Sequence, residues 1–168
     1  MWIFTILLAI ITAFLQSTVS PSLTVHGGAI DLILIVTLIF LFYGKVREAC
    51  VSLLVSSIVL SILSGIALIY LISPTFLLII LYIFLSDRRI ISKPSTLMSL
   101  PMLFIATILF ELIKIAIMRS FSINYLVPIV VSSIMCAIVG GAIYWLCNKI
   151  YYFLNPQLMR EKVKISNI

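Results

Sequence analysis

Glu111 and Lys114 lie three residues apart in the run LFELIKIAIM (109–118), whose other members are apolar. On a helix this spacing places both side chains on one face, close enough to interact. An acid and a base within an apolar segment could relay a proton or another ion. The same spacing also suits a structural ion pair, in which the lysine reaches outward to the membrane surface. We favour a structural pair or a partner contact over the relay.

Other chemistry has few candidate residues. Asp31 is the one further acid in an apolar segment, and there its charge suits the N-terminus of a helix. His26 is the single histidine, and the sequence contains no HExxH, no GxSxG and no paired carboxylates on one helix. Three cysteines are too widely spaced for a metal or disulfide pattern and are interpreted as packing residues: Cys50, Cys136 and Cys147. We therefore expect no catalytic, metal-binding or cofactor-binding residues, and no enzyme.

The composition indicates the class of protein that must position these residues. The chain has 168 residues, of which 64% are hydrophobic and 10% charged, and its mean hydropathy is +1.34. A soluble domain of this size could not hide so much apolar surface. We therefore predict an all-α integral membrane protein folded as a compact bundle of short helices.

Six apolar segments follow one another along the chain. We predict membrane-spanning helices at 2–19, 30–43, 49–63, 66–85, 97–118 and 127–146. The second, at about 21 Å, is shorter than a hydrocarbon core of about 30 Å. Ser64 and Gly65 mark a break, without which 49–85 would form one overlong span. Residues 1–148 thus form the transmembrane domain, and 149–168 an amphipathic, basic tail that anchors the topology or contacts anionic lipid.

The distribution of charge predicts the orientation in the membrane. With six spans, nine of the eleven basic residues share one side: Lys45, Arg47, Arg88, Arg89, Lys93, Lys149, Arg160, Lys162 and Lys164. Short loops that carry Lys and Arg face the cytoplasm, so both termini are expected there. Because the charges follow the loops, the net charge of +6 indicates membrane topology rather than nucleic-acid binding.

Small and polar residues within the segments predict helix contacts. Small residues let membrane helices approach closely, and most of these positions are expected to serve internal packing. They are Ala9 and Ala13 in the first segment, Ser64 and Gly65 at the break, and Ala137, Gly140 and Gly141 in the sixth. Gln16, within the first segment, is expected to hydrogen-bond across the bundle.

The layout resembles the rod shape-determining protein MreD family of bacteria over nearly the whole chain. The stretches that carry the resemblance are FLQSTVSPSL, GAIDLILIVTLIFLFYGKVREA and SILSGIALIYL. Matching positions are the glutamine late in the first helix (Gln16), the Asp-Leu that opens the second (Asp31, Leu32), the glycine after it (Gly44), the Ser-Gly that ends the third (Ser64, Gly65) and an acid in the fifth (Glu111). The sequence departs from the family at Ile30, where a proline is usual, and at Ser61, where an acid is usual.

The resemblance implies a non-enzymatic scaffold subunit of the machinery that elongates rod-shaped cells by lateral peptidoglycan synthesis. It implies a multi-pass protein of the bacterial cytoplasmic membrane. The implied partners are MreC, the MreB cytoskeleton, and the RodA polymerase with its transpeptidase. Membrane lipids are the remaining expected partner, and no nucleic acid or small-molecule substrate is expected.

A second interpretation is a substrate-binding S component of an energy-coupling factor vitamin transporter. These proteins also have six helices and a similar size, and they dock their coupling subunit through an Ala-x-x-x-Ala motif that Ala9 and Ala13 would match. Against this, the predicted outer loops offer few ligand groups, chiefly His26, Asn124 and Tyr125. A vitamin pocket needs several convergent polar and aromatic contacts.

Overall fold

The computed structural model describes residues 2–87, 98–118 and 126–154, without the side chains at 85–87, 118, 152 and 154. Most of these residues belong to six α-helices: α1 (Trp2–Thr18), α2 (Leu32–Phe42), α3 (Val46–Ser64), α4 (Leu68–Asp87), α5 (Ser99–Met118) and α6 (Leu126–Leu154). A short 3-10 helix, Ser20–Leu23, and an isolated β-bridge between Val25 and Gly28 connect α1 to α2. The helical class predicted from composition is confirmed for the described part of the chain.

Three helices, α3, α5 and α6, are long and apolar enough to cross a membrane, and α1, α2 and α4 contribute shorter apolar helices. A helix suits this environment because it satisfies its own backbone N–H and C=O groups where water is absent. These helices indicate a membrane protein. Several basic residues on which the predicted orientation depends lie outside the described ranges: Arg88, Arg89, Lys93, Arg160, Lys162 and Lys164.

The ends of two helices differ from the predicted ones. The segment predicted at 30–43 is helical only over Leu32–Phe42, because Asp31 caps its start and a turn follows Tyr43. The helix predicted at 127–146 continues to Leu154. The first proline after residue 146 is Pro156, so no helix breaker intervenes. Residues 149–154 of the predicted tail are therefore the last turns of α6.

Glycines with positive φ end two helices. Gly44 has φ +70°, and the N–H groups of Gly44 and Lys45 donate to the C=O groups of Leu41 and Phe40 at 2.8 and 2.9 Å. This pattern is a Schellman motif, which reverses the chain between α2 and α3. Gly65 has φ +69° and ends α3, so the predicted break at Ser64 and Gly65 is present.

Helix α2 is the centre of the bundle and contacts the other five helices. Most of its side chains are buried: Leu34, Ile35, Thr37, Leu38 and Leu41 are at most 3% exposed, and only the stripe of Leu32, Val36 and Phe40 is half-buried. With 11 residues it is about 16 Å long, well short of the hydrocarbon core. Because neighbouring helices enclose it, its two ends need not reach the membrane surfaces.

The surrounding helices form two close pairs, α1 with α3 and α5 with α6. The buried residues of α1 are all small: Thr5, Ala9, Thr12 and Ala13. They follow one stripe of the helix, and the buried serines of α3 (Ser52, Ser56 and Ser57) lie on the helix that packs against it. Small residues on both sides let the two helices approach closely.

Candidate functional site

Gln16, near the end of α1, brackets the start of α2. Its Nε2 donates to the C=O of Ile30 at 3.2 Å, and its Oε1 accepts the N–H of Leu32 at 2.7 Å. Ile30 and Leu32 flank Asp31, so one amide holds the backbone on both sides of that residue. The predicted cross-bundle hydrogen bond of Gln16 is therefore made to the α2 backbone.

Asp31 caps the N-terminus of α2. Its Oδ1 accepts the N–H of Leu34 at 2.9 Å, which satisfies one of the amides that a helix leaves unpaired at its start. Its own N–H donates to Sγ of Cys136, on α6, at 3.2 Å. The fully buried Cys136 thus joins the first turn of α2 to the last helix of the chain.

The connection between α1 and α2 is fixed by hydroxyl groups and a tight turn. Ser20 donates to the C=O of Ile30 at 2.6 Å, and Ser132, on α6, donates to the C=O of Ala29 at 2.7 Å. His26 and Gly27 both have positive φ, which is characteristic of a two-residue hairpin turn. His26 is exposed in this turn rather than directed to the site.

Gly28 brings this connection against the first turns of α6. A Cβ atom at position 28 would lie 2.7 Å from the backbone N of Ser132 and 2.9 Å from the C=O oxygen of Pro128. Only a residue without a side chain permits this approach, and the approach is what lets Ser132 reach Ala29.

Glu111 and Lys114 form the ion pair expected from their spacing. The Nζ of Lys114 lies 3.7 Å from Oε2 of Glu111, and their side chains are 40% and 18% exposed respectively. The lysine ammonium also lies 5.8 Å from the centroid of the Phe110 ring. The lysine thus reaches the surface of α5, while the carboxylate is directed into the bundle.

The pair also interacts with the start of α2. Longer-range electrostatic coupling connects Asp31 with both Lys114 and Glu111. Lys114 is therefore coupled to carboxyl groups of two helices, but it lies at ion-pair distance only from Glu111. We call the residues that bond around the start of α2, together with this ion pair, the Asp31 cluster: Gln16, Asp31, Glu111, Lys114, Ser132 and Cys136.

The chemistry of the Asp31 cluster is dominated by contacts that position backbone. Gln16, Asp31 and Ser132 all have hydrogen bonds to main-chain groups of the α1–α2 connection or the first turn of α2. No group of three His, Cys, Asp or Glu side chains that could hold a metal ion occurs among the described residues. What the arrangement offers is two carboxyl groups and an ammonium group beside a helix N-terminus, with Lys114 partly open to the surroundings.

The predicted packing residues divide into two groups. Ala9 and Ala13 are fully buried, and Ala137 is nearly so. A Cβ at Gly140 would lie 3.0 Å from Cδ1 of Leu103, and one at Gly141 would lie 2.5 Å from Cδ2 of Leu100, so both glycines face α5 closely.

Ser64 and Gly65 are different, and their assignment as helix-packing residues is corrected. Both are exposed, and a Cβ at Gly65 would meet no described atom within 4 Å. Ser64 instead donates to the C=O of Leu60 at 2.7 Å, and Ser61 donates to the C=O of Ile66 at 2.7 Å. These hydrogen bonds satisfy backbone C=O groups near the end of α3, where Gly65 adopts the left-handed backbone conformation.

Sequence reasoning missed Ser20, Gly28 and Ser132, and it treated Cys136 only as a packing residue. A signal existed for Ser20, which follows Gln16 by one helical turn, and for Ser132 and Cys136, which are four apart on α6. Nothing local indicates that α6 meets the α1–α2 connection, since these residues are more than a hundred positions apart.

We found no match of the chain to a protein-family model, to a curated protein or to a solved structure.

Proposed function

We propose that the protein is a non-enzymatic scaffold subunit of the machinery that elongates rod-shaped bacteria. The observation that carries this proposal is the meeting of Gln16 with the backbone on both sides of Asp31. These two positions are among those on which the resemblance to the MreD family rests. Gln16 holds the backbone on both sides of Asp31, and Asp31 caps the first turn, so the two residues together fix where α2 begins. This shared role is a physical reason for finding a glutamine and an aspartate at these positions.

A scaffold also suits the way in which the polar groups are used. The hydrogen bonds of Gln16, Ser20 and Ser132 hold backbone rather than line an open pocket. Lys114 remains partly exposed on the side of α5. A polar group at the flank of a membrane helix is a suitable contact for another helix that carries a hydrogen-bond acceptor.

The proposal includes six spans in the bacterial cytoplasmic membrane, with both termini in the cytoplasm. Lys45, in the α2–α3 turn, and Arg47, in the first turn of α3, follow closely after Tyr43, whose hydroxyl donates to Asn148 at 2.6 Å. The α2–α3 turn therefore lies beside Lys149 near the end of α6. Basic residues gathered at one end of the bundle support that end as the cytoplasmic one.

Co-purification from native membranes tests the function. With affinity-tagged protein, we expect recovery of MreC, MreB or the RodA polymerase and its transpeptidase. A Glu111→Gln/Lys114→Gln double variant removes both charges at similar volume and should lower that recovery. Thr18→Ala is the matched control, because Thr18 is exposed and its hydroxyl bonds within its own helix. This variant should leave the recovery of partners unchanged.

The transporter interpretation predicts a different result from the same experiment. Recovery of a pair of ATPases together with a tightly bound vitamin would replace the scaffold proposal with the S component. The burial of Ala9 and Ala13 counts against that outcome, because a docking motif must be open to the coupling subunit.

A further inference from the structure

The final turns of α6 extend past the end of α2. Asn148 contacts Tyr43 at the end of α2, and α6 continues for six residues beyond it, to Leu154. The whole helix has 29 residues and is about 43 Å long, so it exceeds a hydrocarbon core of about 30 Å. A helix of this length reaches the headgroup layer unless it is strongly tilted.

Trp145 and Lys149 form a pair near this end. The Lys149 ammonium lies 5.1 Å from the centroid of the Trp145 ring, and the tryptophan is 53% exposed. Trp prefers the headgroup level because its ring is apolar and its indole N–H needs a polar partner. The pair presents an ammonium and an N–H donor on one exposed patch, which is the chemistry that a phosphate group requires.

Two further cations lie at the same end. Tyr43 joins the α2–α3 turn to α6 through its hydrogen bond to Asn148 and through its ring, whose centroid is 6.2 Å from that of Tyr151. Lys45 follows in this turn, and Arg47 lies in the first turn of α3. The single ion pair among the described side chains is Glu111–Lys114, so neither cation, nor Lys149, has a described carboxylate within 4.0 Å.

Exposed apolar side chains precede Lys149 on α6, on the side of the cations that faces the membrane core. Ile138 is 62% exposed, and Leu146 is 51% exposed. A free anion would gain nothing from these groups. A phospholipid would place its acyl chains against them and its phosphate against the cations.

We propose that Lys45, Arg47, Trp145 and Lys149 form a binding surface for anionic phospholipid headgroups. The proposal does not depend on the cell-elongation function. It differs from general anchoring by the basic tail because it places the contact on α6, the α2–α3 turn and the start of α3.

The test is native mass spectrometry of the full chain, purified in a neutral detergent and mixed with equal amounts of phosphatidylglycerol and phosphatidylcholine. Wild type should retain phosphatidylglycerol preferentially, and added salt should weaken the preference. Each cation replaced by glutamine should weaken phosphatidylglycerol binding about fivefold, so Lys45→Gln/Arg47→Gln/Lys149→Gln should lose on the order of a hundredfold. Arg119→Gln, which removes one charge at the residue that follows α5 in the sequence, should change little.

Several results would overturn the proposal. Equal binding of the two lipids by wild type, or an undiminished preference in the triple variant, would do so. Full competition by inorganic phosphate would assign the surface to a free anion. A third result would be equal binding of the two lipids by wild type, together with an acidic partner protein that wild type retains and the triple variant loses. That result would assign the surface to the partner protein. Should the triple variant fail to fold, Lys149→Gln alone and the wild-type lipid preference decide the matter.

Discussion

Tyr43 donates a hydrogen bond to Asn148 at 2.6 Å, and the Asp31 N–H donates to Cys136 at 3.2 Å; both pairs are 105 residues apart in sequence. The equal separation means that α2 and α6 run parallel and in register over about 18 Å. The two hydrogen bonds join the start and the end of α2 to α6. Between them Gly140 of α6 lies against Ile35 of α2, and the Tyr144 ring packs against the rings of Phe42 and Tyr43.

Removing one partner of the Tyr43–Asn148 bond should destabilise the protein. Asn148 is buried, so Tyr43→Phe leaves its amide without this donor, and we expect a loss of roughly 1–3 kcal/mol in the free energy of unfolding. Titration with SDS in mixed micelles, followed by circular dichroism, measures it. Adding Asn148→Leu should recover part of the loss, because both polar partners are then gone. Tyr70→Phe, at an exposed tyrosine of α4, is the matched control; an equal loss there would refute the assignment.

Gln16→Leu should remove the contacts that hold both sides of Asp31. The backbone groups of Ile30 and Leu32 then lose a side-chain partner, which should lower the free energy of unfolding by about 1–3 kcal/mol. The same SDS titration measures the change. Thr18→Ala removes an exposed hydroxyl that bonds within α1 and should stay within about 0.5 kcal/mol of wild type. Similar losses for the two variants would mean that Gln16 does not position α2.

Lys114 should matter more than Glu111, because its charge is coupled to carboxyl groups of two helices. Lys114→Gln leaves Asp31 and Glu111 without this cation, whereas Glu111→Gln leaves Lys114 coupled to Asp31. Since the lysine is partly exposed, we expect a loss on the order of 1 kcal/mol for Lys114→Gln and less for Glu111→Gln. Adding Glu111→Gln to Lys114→Gln should recover stability in the SDS titration. Simple addition of the two losses would contradict the shared-lysine arrangement.

The same variants separate structure from ion relay. If Glu111 is structural, Glu111→Gln should retain activity in cells at normal protein levels. Loss of activity with unchanged level and unchanged partner recovery would make a proton relay the better account.

Gly28→Ala should be more damaging than Gly141→Ala. At Gly28 the new Cβ would meet backbone atoms of α6 at 2.7 and 2.9 Å, and the helix would have to shift. At Gly141 it would meet the end of the Leu100 side chain, which can rotate away. We expect a loss of about 1–3 kcal/mol for Gly28→Ala and a smaller one for Gly141→Ala, measured by thermal unfolding in detergent. The reverse order would show that the connection before α2 tolerates displacement.

Features of the fold that depend on local chemistry could be predicted from the sequence. The break at Gly65 follows from a glycine that can adopt positive φ, and the role of Asp31 at a helix N-terminus follows from the charge of its carboxylate. The spacing of Glu111 and Lys114 predicted their pairing, since neighbouring turns of one helix determine it.

Features that depend on contacts between distant segments could not be predicted. The position of Asp31 near Lys114 requires α2 and α5 to pack with a particular rotation about their own axes. The pattern of apolar residues in the sequence does not determine that rotation. Cys136 looked like a packing residue because its hydrogen bond is to a backbone amide 105 residues away. The sixth segment is predicted to end at residue 146 because hydropathy falls at Asn148. Helix α6 nevertheless continues to Leu154.

The shortness of α2 has a consequence for the order in which the chain enters a membrane. A helix of 11 residues is too short to stay across a bilayer as an independent segment. Its partners at both ends, Cys136 and Asn148, are synthesised more than a hundred residues later. Until α6 has been inserted, α2 must therefore be retained by α1 and α3, which flank it in the chain and already pack against each other. The central helix of the finished bundle is thus one of the last to acquire its complete surroundings during biosynthesis.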